Sequence, residues 1–216
     1  MKQPLALVSD FDGTISDDDF FNYIARAYFD EKALRPWREY LSGNKKHFDA
    51  LAEMFAKVRV SVSDLNKLID SIKLDTKFIK LAEFCSIQNI PVYICSAGSD
   101  YYIRRCLKNA IERLNITIIS NSGAYSPKTG LVISPNQQYY DEQVGVSKIK
   151  IVQKLQQQGY FVIYCGDGLP DIEAAKQADK VFARKELLRI CQQQKVKVSE
   201  LDNFLTVQKF IQEKIR

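Results

Sequence analysis

Apolar positions follow two rhythms along this chain. Residues 5–8 form a continuous apolar run closed by a polar, glycine-containing segment. Such a run predicts a strand buried on both faces, as in a parallel sheet. From Ser16 to about Lys80 the rhythm changes. Phe20, Tyr23, Ile24, Ala27 and Tyr28 recur at helical spacing, as do Phe48, Leu51, Ala52 and Phe55. Leu65, Leu68, Ile69 and Ile72 continue the pattern after Ser63, a helix-capping residue type. This block predicts three or four helices. Beyond it, helix over 78–86, strand over 91–95, helix over 101–114 and strand over 117–119 alternate. The stretch 121–143 mixes glycine, proline and apolar fragments and predicts a hairpin excursion. A helix over 148–157, a strand over 161–165, a helix over 171–177 and a short strand over 181–183 follow. Terminal helices are expected around Leu187 and over 204–211.

The alternation predicts an α/β fold: a doubly wound, Rossmann-like parallel sheet with a small helical cap inserted after the first strand. The expected division is a core of residues 1–15 and 79–216 and a cap of residues 16–78. An insertion at that point sits over the carboxyl ends of the strands, where such sheets bind their ligands. Its junctions, near residues 14–17 and 74–78, are expected to act as hinges.

Composition narrows the function. Lysine and arginine total 31 against 26 acids, a mild and scattered excess of +5. That charge admits anionic small molecules and lacks the dense basic stripe of a nucleic-acid binder. Five cysteines, with none in CxxC spacing, argue against a disulfide framework or zinc site and for a reducing cytoplasm. No stretch approaches the roughly 20 apolar residues of a membrane span. The expected partner is therefore a small metabolite, without nucleic acid or membrane.

Four strand ends deliver polar groups. After the first strand comes Asp10-Phe11-Asp12-Gly13-Thr14. Alternation points Asp10 and Asp12 the same way. Two ionised carboxylates so close repel, and a divalent cation with a taste for oxygen ligands relieves the repulsion. After residues 91–95 comes Ser96-Ala97-Gly98-Ser99, a hydroxyl and glycine at a strand-to-helix turn, which are phosphate-binding parts. Lys148, at the start of a helix, can reach a phosphate. After residues 161–165 comes Gly166-Asp167-Gly168-Leu169-Pro170-Asp171, whose two carboxylates can complete a magnesium site. Each segment alone also reads as a turn or a cap. His47, beside Lys45 and Lys46, reads as a surface residue, and Phe20, Phe21, Trp37 and Phe55 as cap packing with one or two lining a pocket.

In their order and at strand ends, these segments resemble the four motifs of the haloacid dehalogenase superfamily. The runs 171–175 and 181–187 resemble the branch of phosphoserine phosphatases and 2-hydroxy-3-keto-5-methylthiopentenyl-1-phosphate phosphatases. The resemblance implies a magnesium-dependent phosphomonoesterase. Asp10 would be the nucleophile and Asp12 the general acid and base. Ser96, Gly98 and Lys148 would hold the phosphoryl group. Asp10, the Asp12 carbonyl, Asp167 and, in support, Asp171 would hold the metal. Two features depart from serine-specific members. Pro170 stands where they usually carry asparagine, and Glu53 where the cap supplies an arginine, with Arg59 a few residues on. Asp19 falls where an acidic cap residue meets substrate. Asp19, Glu53 and Arg59 are thus the expected specificity residues. A phosphotransferase using the same aspartyl-phosphate, and a silent binding protein on the same scaffold, are the alternatives.

Overall fold

The computed structural model describes residues 3–108 and 110–216. Its centre is β1 (Leu5–Ser9), whose five residues are all buried. Leu5 and Leu7 face one core, Ala6 and Val8 the other, the two-sided burial that the continuous apolar run predicts. Four helices follow: α1 (Phe20–Tyr28), α2 (Arg35–Leu41), α3 (His47–Phe55) and α4 (Val62–Asp70). The chain then returns through α5 (Thr76–Ile87) to β2 (Val92–Ser99), α6 (Asp100–Leu107), α7 (Ala110–Arg113), β3 (Ile116–Ser126) and β4 (Gly130–Ser134). The last part is α8 (Lys148–Gln157), β5 (Phe161–Gly166), a 3-10 turn (Leu169–Asp171), α9 (Ile172–Gln177), β6 (Lys180–Ala183), α10 (Lys185–Gln193), β7 (Val198–Glu200) and α11 (Phe204–Ile215).

The seven strands run in the order β4-β3-β2-β1-β5-β6-β7. All neighbours are parallel except the β3–β4 hairpin. The strand order reverses at β1, between β2 and β5, and the carboxyl ends of these three strands form the crevice where such sheets bind ligands.

Several details differ from the sequence expectation. Ser61, not Ser63, caps α4, and Ser96 and Gly98 lie within the end of β2 rather than in a turn after it. The helix expected over 101–114 is two helices, because Lys108 adopts a positive φ of 41° that ends α6. β7 has only three residues, two of them polar, so it carries no apolar run to announce it; pairing with β6 creates it. The helical block is tied at its base. Asp17 N–H donates to the Lys73 carbonyl at 3.0 Å, and Asp75 N–H to the Ile15 carbonyl at 2.8 Å. Its buried side chains, Phe20, Ile24, Met54 and Phe55 among them, join the core on one face of the sheet through Phe11, Ile15 and Tyr102.

Candidate active site

Asp10 follows β1 directly and is buried at the crevice. Its Oδ1 accepts from the Phe11 N–H at 2.8 Å, and its Oδ2 lies 2.9 Å from Lys148 Nζ. Lys148 is 4% exposed, an unusual burial for lysine. It lies at the first turn of α8, and its ammonium also donates to Asp171 Oδ1 at 2.5 Å. Burial alone would lower its pKa; Asp10 and Asp171 outweigh that and hold it charged.

Asp171, fully buried, is saturated. Its Oδ1 also accepts from the Tyr164 hydroxyl at 2.6 Å, and its Oδ2 from the N–H groups of Asp167 and Gly168, both at 3.0 Å. It thereby fixes both Lys148 and the loop after β5. Asp167 Oδ1 accepts from Thr14 Oγ1 at 3.1 Å, and Lys185 Nζ lies 3.3 Å from its Oδ2. Gly13 makes this approach possible. Its φ is +70°, and a Cβ there would collide with the Asp167 carboxylate. Oxygens of Asp10, Asp167 and Asp171 lie within 4.8 Å of one another. Burial and neighbouring carboxylates push both Asp10 and Asp167 up, against the pull of Lys148.

Asp12 turns its side chain the other way, toward the helical block. It accepts from the Phe20 N–H at 3.0 Å, the Ser96 hydroxyl at 3.0 Å and the Tyr102 hydroxyl at 2.5 Å. Burial raises its pKa and these three bonds oppose the rise. Ser96 Oγ in turn accepts from the Gly98 N–H at 2.9 Å. A side chain on Gly98 would collide with the Tyr102 hydroxyl, so glycine here serves the Asp12–Tyr102 contact.

These groups floor a cavity of about 290 Å³, at the low end of small-molecule sites. Its walls come from the helical block. Phe21 stacks on Trp37 at 4.3 Å, and His47 meets Trp37 and Tyr40 edge-on at 5.7 and 5.1 Å. Asp19, the residue before α1, also lines it. Leu41 and Leu169, 70% and 52% exposed, flank the opening.

The structure brings Asp10, Asp12, Asp19, Ser96, Gly98, Lys148 and Asp167 to one cavity, with Asp171 directly behind it. It does not bring Glu53 or Arg59 there. Glu53 pairs with Lys45 on the outer face of α3, and Arg59 donates to the Lys128 carbonyl. Both lie in the segment poorest in motifs. His47 is likewise not a surface residue. It begins α3 turned inward, and burial, then Lys148, lowers it to about 4, leaving a neutral ring.

The family model described as "Putative Phosphatase" matches residues 5–206. The chain belongs to this family. It is a phosphatase of the haloacid dehalogenase superfamily. This phosphatase is 28% identical over 220 residues to the Pdp3-interacting factor 1 of Schizosaccharomyces pombe, covering 98% of this chain and 96% of that one. It is 27% identical over 203 residues to a 2-hydroxy-3-keto-5-methylthiopentenyl-1-phosphate phosphatase of Bacillus cereus, covering 92% of each. A solved substrate-bound phosphoserine phosphatase complex shares the fold, with a TM-score of 0.71 at 18% identity, over 97% of this chain and 99% of that one.

Sequence reasoning missed four residues of the phosphatase's site: Thr14, Tyr102, Tyr164 and Lys185. Thr14 stood in the first motif and carried a signal. Tyr102 and Tyr164 read as apolar positions of a helix and a strand, and Lys185 as one basic residue among many.

Proposed function

We propose that this chain is a magnesium-dependent phosphomonoesterase that dephosphorylates a small phosphorylated metabolite through an aspartyl-phosphate on Asp10. The observation that carries the reading is the convergence of Asp10, Asp12, Ser96, Lys148 and Asp167, from the carboxyl ends of β1, β2 and β5 and the first turn of α8, on the floor of one cavity. A substrate like 2-hydroxy-3-keto-5-methylthiopentenyl-1-phosphate, or like phosphoserine, is the class that the relatives suggest.

The donor set fits magnesium. It is all oxygen, no histidine or cysteine stands within it, and burial and neighbouring carboxylates hold Asp10 and Asp167 above their ordinary range. Asp10 and Asp167 would hold the ion with the Asp12 carbonyl, and Asp171, its oxygens already engaged, would support them through Lys148 and the loop. Bound there, the cation would offset the negative charge of the phosphoryl group and the carboxylates.

Asp10 Oδ2 attacks phosphorus as the bond to the leaving oxygen breaks. Asp12 is the acid that gives a proton to the leaving alcohol, and burial, which raises its pKa, favours the form that does so. It then takes a proton from the water that hydrolyses the acyl phosphate. Lys148, Ser96 and the backbone near Gly98 receive the phosphoryl oxygens. The helical block acts as a cap over the cavity, hinged at the paired segments around Ser16 and Leu74, and excludes water from the first step.

The test is phosphate release from 4-nitrophenyl phosphate. Activity should appear with magnesium, vanish on exhaustive chelation and be lost in Asp10→Asn. The intact mass of quenched wild type should show a phosphoryl adduct that Asp10→Asn lacks. Full activity after chelation, or an active Asp10→Asn, overturns the reading.

A further inference from the structure

The cavity has a charge pattern as well as a shape. Among its described lining residues the cationic side chain is Lys148, and its ammonium is already shared between Asp10 and Asp171. No arginine lines it. The helical block offers Phe21, Trp37, Leu51 and Phe55 to the lining, with the neutral ring of His47 between Trp37 and Tyr40. Asp19 adds a carboxyl group within the field of Asp12 and Asp167. It occupies the N-cap position of α1, yet its carboxylate does not cap the helix, and it lies among the cavity residues instead. Glu186 stands at the opening, paired with Arg189 at 3.5 Å on the exposed side.

A buried charge needs a partner or it costs several kcal/mol of solvation. The phosphoryl group has its partner in Lys148. A second anionic group on the leaving alcohol would lie among aromatic rings and near Asp19; the one further ammonium close by, Lys185, stands outside the lining and is engaged by Asp167 and the Asp17 carbonyl. An apolar body would exchange water for the Phe21–Trp37 wall and extend between Leu41 and Leu169 at the mouth.

We propose that the site selects phosphomonoesters whose leaving group carries no second negative charge and presents an apolar, ring-sized body to the Phe21–Trp37 wall, with Asp19 as the residue that rejects carboxylates. This rests on the phosphomonoesterase reading above and decides between the substrate classes left open there. Asp19 is pushed up to about 7, by burial first and then by Asp12 and Asp167, so it is fully ionised only above neutrality.

Two matched pairs of esters test it with magnesium present, at about pH 8, where Asp19 is charged. One pair is benzyl phosphate and 4-carboxybenzyl phosphate; the other is O-phosphoethanolamine and O-phosphoserine. Within each pair only a carboxylate is added. kcat/KM is measured on the wild type, and Kd by calorimetry on Asp10→Asn. The carboxylate should lower kcat/KM, and raise Kd, by about a hundredfold, the scale of an unfavourable like-charge contact. Benzyl phosphate should also surpass O-phosphoethanolamine. Asp19→Asn should shrink the carboxylate penalty, read as the ratio of kcat/KM and of Kd within each pair, by about tenfold. Equal use of both members of each pair overturns the proposal. An undiminished penalty in Asp19→Asn overturns the role of Asp19. Absence of turnover for every ester counts against the phosphatase reading, and the Kd ratios on Asp10→Asn still decide this one.

Discussion

Tyr102→Phe isolates the group that tunes Asp12. Asp12 is buried, which raises its pKa, and three donors oppose the rise. The Tyr102 hydroxyl is the shortest of them, at 2.5 Å. It is itself held protonated, because burial and the adjacent Asp12 push it well above the ordinary tyrosine range. Phenylalanine keeps the ring, which packs on Phe20 at 4.1 Å, and deletes only the donor. A hydrogen bond to a charged group is worth about 1.5–3 kcal/mol. Asp12 borders the cavity, so water can replace part of the loss and the lower figure applies. About 1.5 kcal/mol corresponds to about one pH unit. The pKa of Asp12 should therefore rise by that much, and the acid should keep its proton to higher pH. The assay is the pH profile of kcat/KM on benzyl phosphate, whose poor leaving group needs protonation. Its basic limb should move up by about one pH unit, with an unchanged far-ultraviolet circular dichroism spectrum showing that the fold is intact. A basic limb that stays in place, or moves down, refutes the assignment of Asp12 as the acid under Tyr102 control.

Asp12→Asn should slow benzyl phosphate by about 10²–10⁴-fold and aryl phosphates less, since their leaving groups need less help from an acid; an equal loss on both, without burst kinetics, contradicts the role. Lys148→Ala should reduce every ester together, leave the preference among them unchanged, and cost about 3–5 kcal/mol of stability at neutral pH in urea unfolding, because it strands buried Asp10 and Asp171. His47 is lowered from 6.5 to about 4 by burial, so below 6.5 the unfolded chain binds a proton that the folded chain refuses. Stability should therefore fall as pH drops from 6.5 to about 4, by up to about 3 kcal/mol, and denaturant titrations of His47→Phe should lack that part of the slope.

Along this chain, whatever depends on neighbours in sequence was legible from sequence. The β1 run Leu5–Ser9, the helical rhythm of α1, α3 and α4, and the strand-end segments that carry Asp10, Ser96 and Asp167 all follow from local patterning, because strand and helix periods are fixed by backbone geometry. These segments also marked most of the catalytic floor, since glycine and carboxylates at strand ends are local signals. What stayed illegible was set across space. Tyr102 lies 90 residues from Asp12, so its hydroxyl acquires its partner only when β1 and α6 come together, while Tyr164 reads as an apolar strand position although its hydroxyl meets Asp171 in the turn after β5. Lys185 meets Asp167 only because β5 and β6 pair, and β7 exists only because β6 offers it an edge. The same holds for the cap. Periodicity shows that His47, Trp37 and Phe21 sit on helices, while the packing of α1, α2 and α3 decides that His47 turns inward and that Glu53 and Arg59 face away from the cavity. A helix's apolar face is written in its sequence; what that face meets is a property of the assembled fold.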